Sequence, residues 1–338
     1  MSDRSRAATR LQTAILRSVS RSFYLSIQFL PVRLRQPMAL AYLLARTTDT
    51  VADTARISGA FRRETLQTLS KAIQGKASQD EVVDLVASFA PLQEHEAERT
   101  LVELLPDCLE WLGRLETSDC LDVRAVLEKI TQGQMLDLQR FSETAEITAL
   151  PTAADLNEYT FLVAGSVGEF WTKVCFRHIR NFAARPKNEM LTLGKAYGMG
   201  LQLVNILRDA GADLRAGRCY FPEEELTSAR LTPAQVLSQP ERFQPIYQNW
   251  TGKAQRGLES GMQYSLAIGN RRVRAATVLP ALIGTRTLAL LRDAGATALD
   301  RQVKVPRNEV RAMIVRALTT SGVFKAPAKE QAVGRPLP

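Results

Sequence analysis

From Arg6 to about Ser321, apolar residues recur at the three- and four-residue intervals that place them on one face of an α-helix. The repeat breaks where Gly, Pro or polar clusters fall: at "LPVRLRQP" (30–37), "QGKASQD" (74–80), "SFAPL" (88–92), "LPTAADL" (150–156), "AARPKN" (183–188), "DLRAGRCYFP" (213–222), "LTPAQ" (231–235) and "KVPRNE" (304–309). Two of these breaks carry the chemistry of a helix start. Thr152 with Asp155 makes an N-terminal cap pair, and Thr232 before Pro233 supplies a cap and a first-turn proline. Alternating runs of the strand type are nearly absent, so the pattern predicts an all-α chain of ten or more helices joined by short loops. With no Ser/Gly-rich linker and no repeat of fixed period, residues 1–322 read as one helical domain. Periodicity fades in "FKAPAKEQAVGRPLP" from Phe324, and residues 323–338 are expected to form a mobile tail.

Composition strengthens the helical reading. The 338 residues are 45% apolar, enough for a large core, and they include only 19 Gly and 15 Pro. Long stretches carry Leu, Ala, Glu, Gln, Arg and Met, the residues that lose least freedom in a helix. Cys108, Cys120, Cys175 and Cys219 show no C-x-x-C spacing, and only His95 and His178 are present to join them, so neither a zinc site nor a disulfide framework is expected. Free thiols, and a first thirty residues without the apolar core of a secretory signal, predict a cytoplasmic protein. The segment "AATVLPALIGTRTLALL" (275–291) is cut by Pro280 and Arg286, so no transmembrane helix is expected. A net charge of +9 is compatible with nucleic acid, an anionic membrane surface or a polyanionic small substrate, and does not choose among them. The basic cluster "NRRVRAA" (270–276) reads as a solvated helix face.

The candidate chemistry lies in the acids. In "LLARTTDTVADT" (43–54), Asp49 and Asp53 stand four apart, so a helix points both carboxylates the same way, where like charges repel unless a cation sits between them. A hard divalent ion such as Mg²⁺, held by carboxylates and substrate phosphates, meets that need. Spacing alone is weak, since Asp80 and Asp84 have it too and read as the solvated first turn of a helix. A second pair, Asp209 and Asp213, makes the stronger case. Gln202, Asn205, Asp209 and Asp213 form one polar stripe on a helix that is otherwise Leu201, Leu203, Val204, Ile206 and Leu207, and a stripe of that kind has to line something wet or charged. Two such stripes facing each other across a bundle would hold several Mg²⁺ ions and a diphosphate, with Arg46, Arg208 and Arg218 beside them. Each arginine reads equally well as an ion-pair partner of the neighbouring aspartate.

These residues resemble the squalene/phytoene synthases, head-to-head prenyl transferases built on the all-α isoprenoid synthase bundle with a central active-site channel. The segment "SVSRSFYLSIQFLP" (18–31) is similar to the family's opening S-x-S-F segment, and "YLLARTTDTVAD" (42–53) to its first aspartate-rich motif. "YTFLVAGSVG" (159–168) is similar to its Y-x-x-x-V-A-G-x-V-G helix, and "QLVNILRDAGADLRAGRCYFP" (202–222) to its second aspartate motif. The resemblance implies that Asp49, Asp53, Asp209 and Asp213 bind Mg²⁺ (or Mn²⁺) with Asn205 and Gln202 beside them. It assigns substrate contacts to Ser20, Ser22, Phe23, Tyr42, Arg46, Arg208 and Arg218, and the acid/base position to Tyr159.

Within the family the D-T-x-x-D form of the first motif and "LPALIGTRTLALL" (279–291) favour the squalene branch, whereas "GQMLDL" (133–138) is more like the phytoene branch. "VKVPRNEV" (303–310) is similar to the segment assigned there to NADPH, with Lys304 aligned and Arg307 in place of an arginine displaced by Pro306. No counterpart of the eukaryotic membrane-anchoring tail is evident, so a bacterial enzyme is expected, at most peripheral on the inner face of the membrane. The implied activity joins two farnesyl diphosphates through presqualene diphosphate and reduces the product with NADPH to squalene. A presqualene diphosphate, dehydrosqualene or phytoene synthase without the reduction is the alternative. Neither a nucleic acid nor a protein partner is expected.

Overall fold

The computed structural model describes residue 27 and residues 30–54, 56–141 and 146–319. The expected substrate residues Ser20, Ser22 and Phe23, and the expected tail, lie outside the described residues. The helices are α1 (Val32–Asp53), α2 (Gly59–Ile73), α3 (Gln79–Phe89), α4 (Glu96–Glu103), α5 (Leu105–Gly113) and α6 (Thr117–Arg140). After them come α7 (Ala153–Thr160), α8 (Ser166–His178), α9 (Lys187–Arg215), α10 (Glu223–Ser228), α11 (Pro240–Ala267), α12 (Arg271–Ala294) and α13 (Arg307–Thr319). Packing passes from neighbour to neighbour. α1 and α2 lie on α6, α6 on α8, α8 on α9, and α9 on α11, which carries α12. One apolar core gathers around Leu40, Leu44, Leu69 and Val123, and a second around Leu207, Phe221, Trp250 and Leu288.

Most of the breaks in periodicity coincide with a helix end, and caps explain two of them. Thr152 Oγ1 accepts from the Asp155 N–H while the Asp155 carboxylate accepts from the Thr152 N–H, so α7 starts with two of its orphan donors satisfied. Ser78 and Glu81 make the same box at α3, which places Asp80 in a first turn and supports the solvated reading of that pair. Thr232 with Gln235 makes a third box, but it opens only a short 3-10 turn, Pro233–Gln235.

Three features differ from the sequence reading. α1 runs through the first break with Pro37 inside it, because Leu34, Met38 and Leu40 on either side are buried and their burial offsets the lost helical hydrogen bond. Between α7 and α8 the backbone widens into one π turn, Phe161–Gly165, which starts two residues after Tyr159. Two short strands, β1 (Thr148–Leu150) and β2 (Arg218–Pro222), pair in parallel, with Thr148 opposite Arg218 and Ala149 opposite Cys219. Four of the five β2 residues are buried, so there is no alternation to read.

The four cysteines are free, with Cys108, Cys175 and Cys219 buried. α12 and the turn after it (Arg271–Leu299) have the length and mean hydropathy, 1.2, of a membrane span, yet the helix packs on α11, α9 and α13. Its burial in the bundle accounts for its apolar character.

Candidate functional site

The site begins with three helices whose polar faces point inward. On α1, the hydroxyls of Thr47 and Thr48 bond back to Leu43 and Ala45 carbonyls, which leaves Asp49 and Asp53 as the outward-reaching acids of that face. Asp49 accepts a hydrogen bond from Gln134 Nε2 of α6 at 2.6 Å and lies 4.0 Å from Arg46. Three residues along α6 from Gln134, and so on the same face, Asp137 accepts the Tyr220 hydroxyl at 2.7 Å. On α9, Leu203, Val204, Ile206 and Leu207 are buried, while Gln202, Asp209 and Asp213 are half-buried and Asn205 is exposed, as the stripe predicts.

β2 supplies the other half. Gly217 turns the chain from α9 into the strand with φ +82°, a conformation that costs glycine little. Alternate residues of a strand share a face, so Arg218 and Tyr220 reach the same side: Arg218 to Asp213 at 2.7 Å, Tyr220 to Asp137. The Tyr220 ring stacks on Tyr159 with centroids 5.2 Å apart. The two tyrosines thereby tie Asp137 of α6 to the last turn of α7, just before the π turn.

The electrostatics join these pieces. Burial, reinforced by the charge of Asp53, pushes Asp49 up to about 6. Burial likewise pushes Asp137 and Asp213 up to about 6, with Asp53 adding to both and Asp209 adding to Asp213. Asp53 itself is raised by burial, and Arg218, Arg46 and Arg62 offset that only in part. The acids of α1, α6 and α9 therefore sit in one field with too little positive charge to balance them.

The arginines take up the ion-pair reading. Arg208 grips Asp209 through two hydrogen bonds, 2.9 and 2.5 Å, and Arg46 bonds Glu98 at 3.1 Å. Arg218 holds Asp213, yet its Nε is buried without a hydrogen-bond partner among the described residues, and so is Gln134 Oε1. Tyr42 is half-buried two turns before Asp49 on α1. Lys304 precedes α13 and Arg307 opens it; neither bonds to the aspartate walls among the described residues, and α13 is tied instead to α12 by Glu309 and Arg286 at 2.6 Å. Among the described residues the Asn205 side chain bonds its neighbour Gln202, at 3.4 Å.

A divalent cation fits these walls. The donors are hard carboxylate oxygens, their ionisation is unfavourable without added positive charge, and the orphaned Arg218 Nε offers a donor to a phosphate oxygen. A separate grouping of Glu116, Asp119 and His178 joins the start of α6 to the end of α8. There Asp119 is already held by Arg177 at 2.5 Å and by His178 at 2.8 Å, and it stands about 27 Å along α6 from Asp137.

Gln134, Asp137, Tyr220 and Arg62 belong to the site and were not singled out from the sequence. The available signals were small: Gln134 and Asp137 are polar positions three apart in "GQMLDL", and Tyr220 stands two residues after Arg218 in "GRCYFP".

The fold is that of the isoprenoid synthases. By superposition, 92% of the chain matches 86% of TcSQS in a ligand complex with a TM-score of 0.73 and 20% identity. A dehydrosqualene synthase bound to a ligand matches with a TM-score of 0.61 and 20% identity, over 92% of this chain and 95% of that one. The squalene synthase HpnC from Alicyclobacillus acidocaldarius matches at 0.59 and 17% identity, over 87% and 97%. The chain belongs to the squalene/phytoene synthase family, whose profile matches residues 16–309. Among curated proteins it is 32% identical over 242 residues to the bifunctional lycopene cyclase/phytoene synthase of Phaeosphaeria nodorum, and 32% over 237 residues to that of Neurospora crassa. These alignments cover 71% and 67% of this chain and 38% of each relative, so the chain spans well under half the length of the relatives it matches.

Proposed function

We propose that this chain is a Mg²⁺-dependent head-to-head prenyl transferase that joins two farnesyl diphosphates. The observation that carries the reading is the shared field in which the charge of Asp53 on α1 raises the pKa of Asp213 on α9 and of Asp137 on α6. Asp49, Asp53, Asp209 and Asp213, with Asn205 beside them, would hold the ions, whose charge offsets that of the leaving diphosphate. Arg218 Nε donates to a phosphate oxygen, and Arg46 balances the α1 wall. Tyr159, facing the same acids, receives the proton lost as the new carbon–carbon bond closes. The apolar faces of α9 and α12 keep water from the allylic cation.

The D-T-x-x-D motif and the Pro280 helix support squalene as the product, with NADPH taken up near Lys304, Arg307 and Asn205. The second reading, a phytoene synthase using a C20 diphosphate without reduction, is supported by the curated relatives and by "GQMLDL". Purified protein incubated with Mg²⁺ and C15 or C20 diphosphate, with and without NADPH, is expected to yield a C30 hydrocarbon whose mass rises by two hydrogens when NADPH is added. A C40 product, or a C30 product indifferent to NADPH, decides for the second reading or against the reduction. An apolar product also makes peripheral contact with the inner face of the membrane, from the cytoplasm, part of the proposal.

The raised acids give a pH signature. Between their ordinary value of 3.8 and about 6, Asp49, Asp137 and Asp213 hold more protons folded than unfolded, so their contribution to stability falls as pH rises through that window and stays low above it. Mg²⁺ with diphosphate binds the ionised walls and removes the penalty. The rise in Tm on adding both is therefore expected to be larger at about pH 7.5 than at about pH 5. A shift of equal size at both, read by calorimetry, would count against these acids as ligands.

A further inference from the structure

A tyrosine that keeps its own proton is a poor base, because its neutral oxygen accepts another proton only if it gives up the one it has. Tyr159 is in that position. Burial, with the charge of Asp137 behind it, drives its pKa far above the ordinary range, and Tyr220 is raised for the same first reason. An acid/base role for Tyr159, on which the proposed condensation leans, therefore needs an acceptor behind the hydroxyl.

The geometry supplies one. Tyr220 stacks on Tyr159 with ring centroids 5.2 Å apart, which sets the two phenols side by side, and its hydroxyl donates to Asp137 Oδ1 at 2.7 Å. An ionised carboxylate has no hydrogen to give, so Tyr220 must be the donor to Asp137. That leaves the Tyr220 oxygen free to accept from Tyr159 and sets one direction along the chain. Tyr220 falls in the irregularity of β2 between the Ala149–Cys219 and Leu150–Pro222 pairs, and Phe141 packs edge-on against its ring at 5.0 Å. The positive charge of Arg218 acts on Asp137 from the same strand face.

We infer that Tyr159, Tyr220 and Asp137 form a proton relay that carries away the proton released when the cyclopropane ring closes. The carbon–hydrogen bond of the substrate breaks as its electron pair forms the last ring carbon–carbon bond. The proton goes to the Tyr159 oxygen, the Tyr159 proton to Tyr220, and the Tyr220 proton to Asp137, which ends neutral. Both tyrosines end as they began, and no oxidant or reductant is involved. Tyr220 and Asp137 act through Tyr159, as positioning residues, and touch no substrate atom themselves.

The relay rests on the condensation proposed above, and its test separates the two. Wild type, Tyr220→Phe and Asp137→Asn are compared for diphosphate released and for condensed product formed with Mg²⁺ and prenyl diphosphate. Tyr220→Phe keeps both ring contacts, and Asp137→Asn keeps an acceptor for Tyr220. With the relay cut, the coupled cation cannot lose its proton and reverts to the allylic cation, which water captures as prenyl alcohol. The ratio of condensed product to diphosphate released is expected to fall at least about tenfold in both variants, with alcohol making up the difference. A residue that only supported the fold would lower both quantities together and leave the ratio as in wild type, and that result overturns the relay alone. A wild type that releases diphosphate without making condensed product overturns the condensation and the relay with it.

Discussion

Asp213→Asn is expected to slow consumption of prenyl diphosphate by about a thousandfold or more, and to leave the protein as heat-stable as before or more so. The first effect follows from charge. Asp213 on α9 feels the charge of Asp53 on α1, and a neutral amide there removes a hard anionic ligand from a wall that has to hold a divalent cation against a diphosphate. Loss of one such electrostatic contact to a developing charge costs about a hundred- to a thousandfold by itself, and loss of metal adds to it. The second effect has the opposite sign. Burial raises the Asp213 pKa above its unfolded value despite the pairing with Arg218, so at neutral pH its ionised form is a net cost to the folded state. Asparagine removes that cost and still accepts from Arg218. Stability held at the expense of function is what a binding site assembled from like charges should show. Asp49→Asn tests the other wall in the same way, with Gln134 keeping its hydrogen bond to the amide oxygen. The measurement is diphosphate release at saturating Mg²⁺ beside a thermal melt. A variant that keeps more than about a tenth of wild-type turnover removes its residue from the ligand set.

The parts of this molecule that were legible in the chain are those whose cause is local. Thr152 and Asp155 lie three residues apart, and so do Ser78 and Glu81, so their caps can be read without knowing what packs where. The acid stripe of α9 was legible because its contrast with Leu203, Val204, Ile206 and Leu207 is carried by one helix. Asp137 was not, because its meaning comes from Tyr220, 83 residues away, and from the charge of Asp53 on a third element. The arginines were ambiguous for the same reason: only the folded chain shows Arg208 closed on Asp209 and Arg218 with a donor to spare. Strand β2 could not be read from alternation, yet it aims both Arg218 and Tyr220. The assignments of Ser20, Ser22 and Phe23 rest on resemblance alone.

Gly168→Ala is expected to destabilise the fold by about 3 kcal/mol and to cost activity beyond what the loss of folded protein explains. Gly168 ends the "VAGSVG" segment, where α8 crosses α9, and a Cβ on it would stand 1.9 Å from the Gly194 carbonyl oxygen and 2.5 Å from the carbonyl carbon. Both are backbone atoms, so no side-chain rotation relieves the clash and the helices have to part. Gly198, one turn further along α9, repeats the contact against the Ala164 carbonyl at 2.2 Å, so separation at one crossing strains the next. For a chain of this size about 3 kcal/mol lowers Tm by roughly 5–10 °C. The functional loss follows from what α9 carries. Its polar stripe must meet the α1 wall across a gap set by these crossings, and a displacement of about 1 Å in a reacting site is enough to cost about a hundredfold. Gly252→Ala is the control. Gly252 lies inside α11 with only Arg256 Nη1 near, at 3.7 Å, so alanine there gains helix propensity and is expected to be neutral or stabilising by about 1 kcal/mol. Equal melting temperatures for the two variants would show that glycine at 168 is there for some reason other than the closeness of α8 to α9.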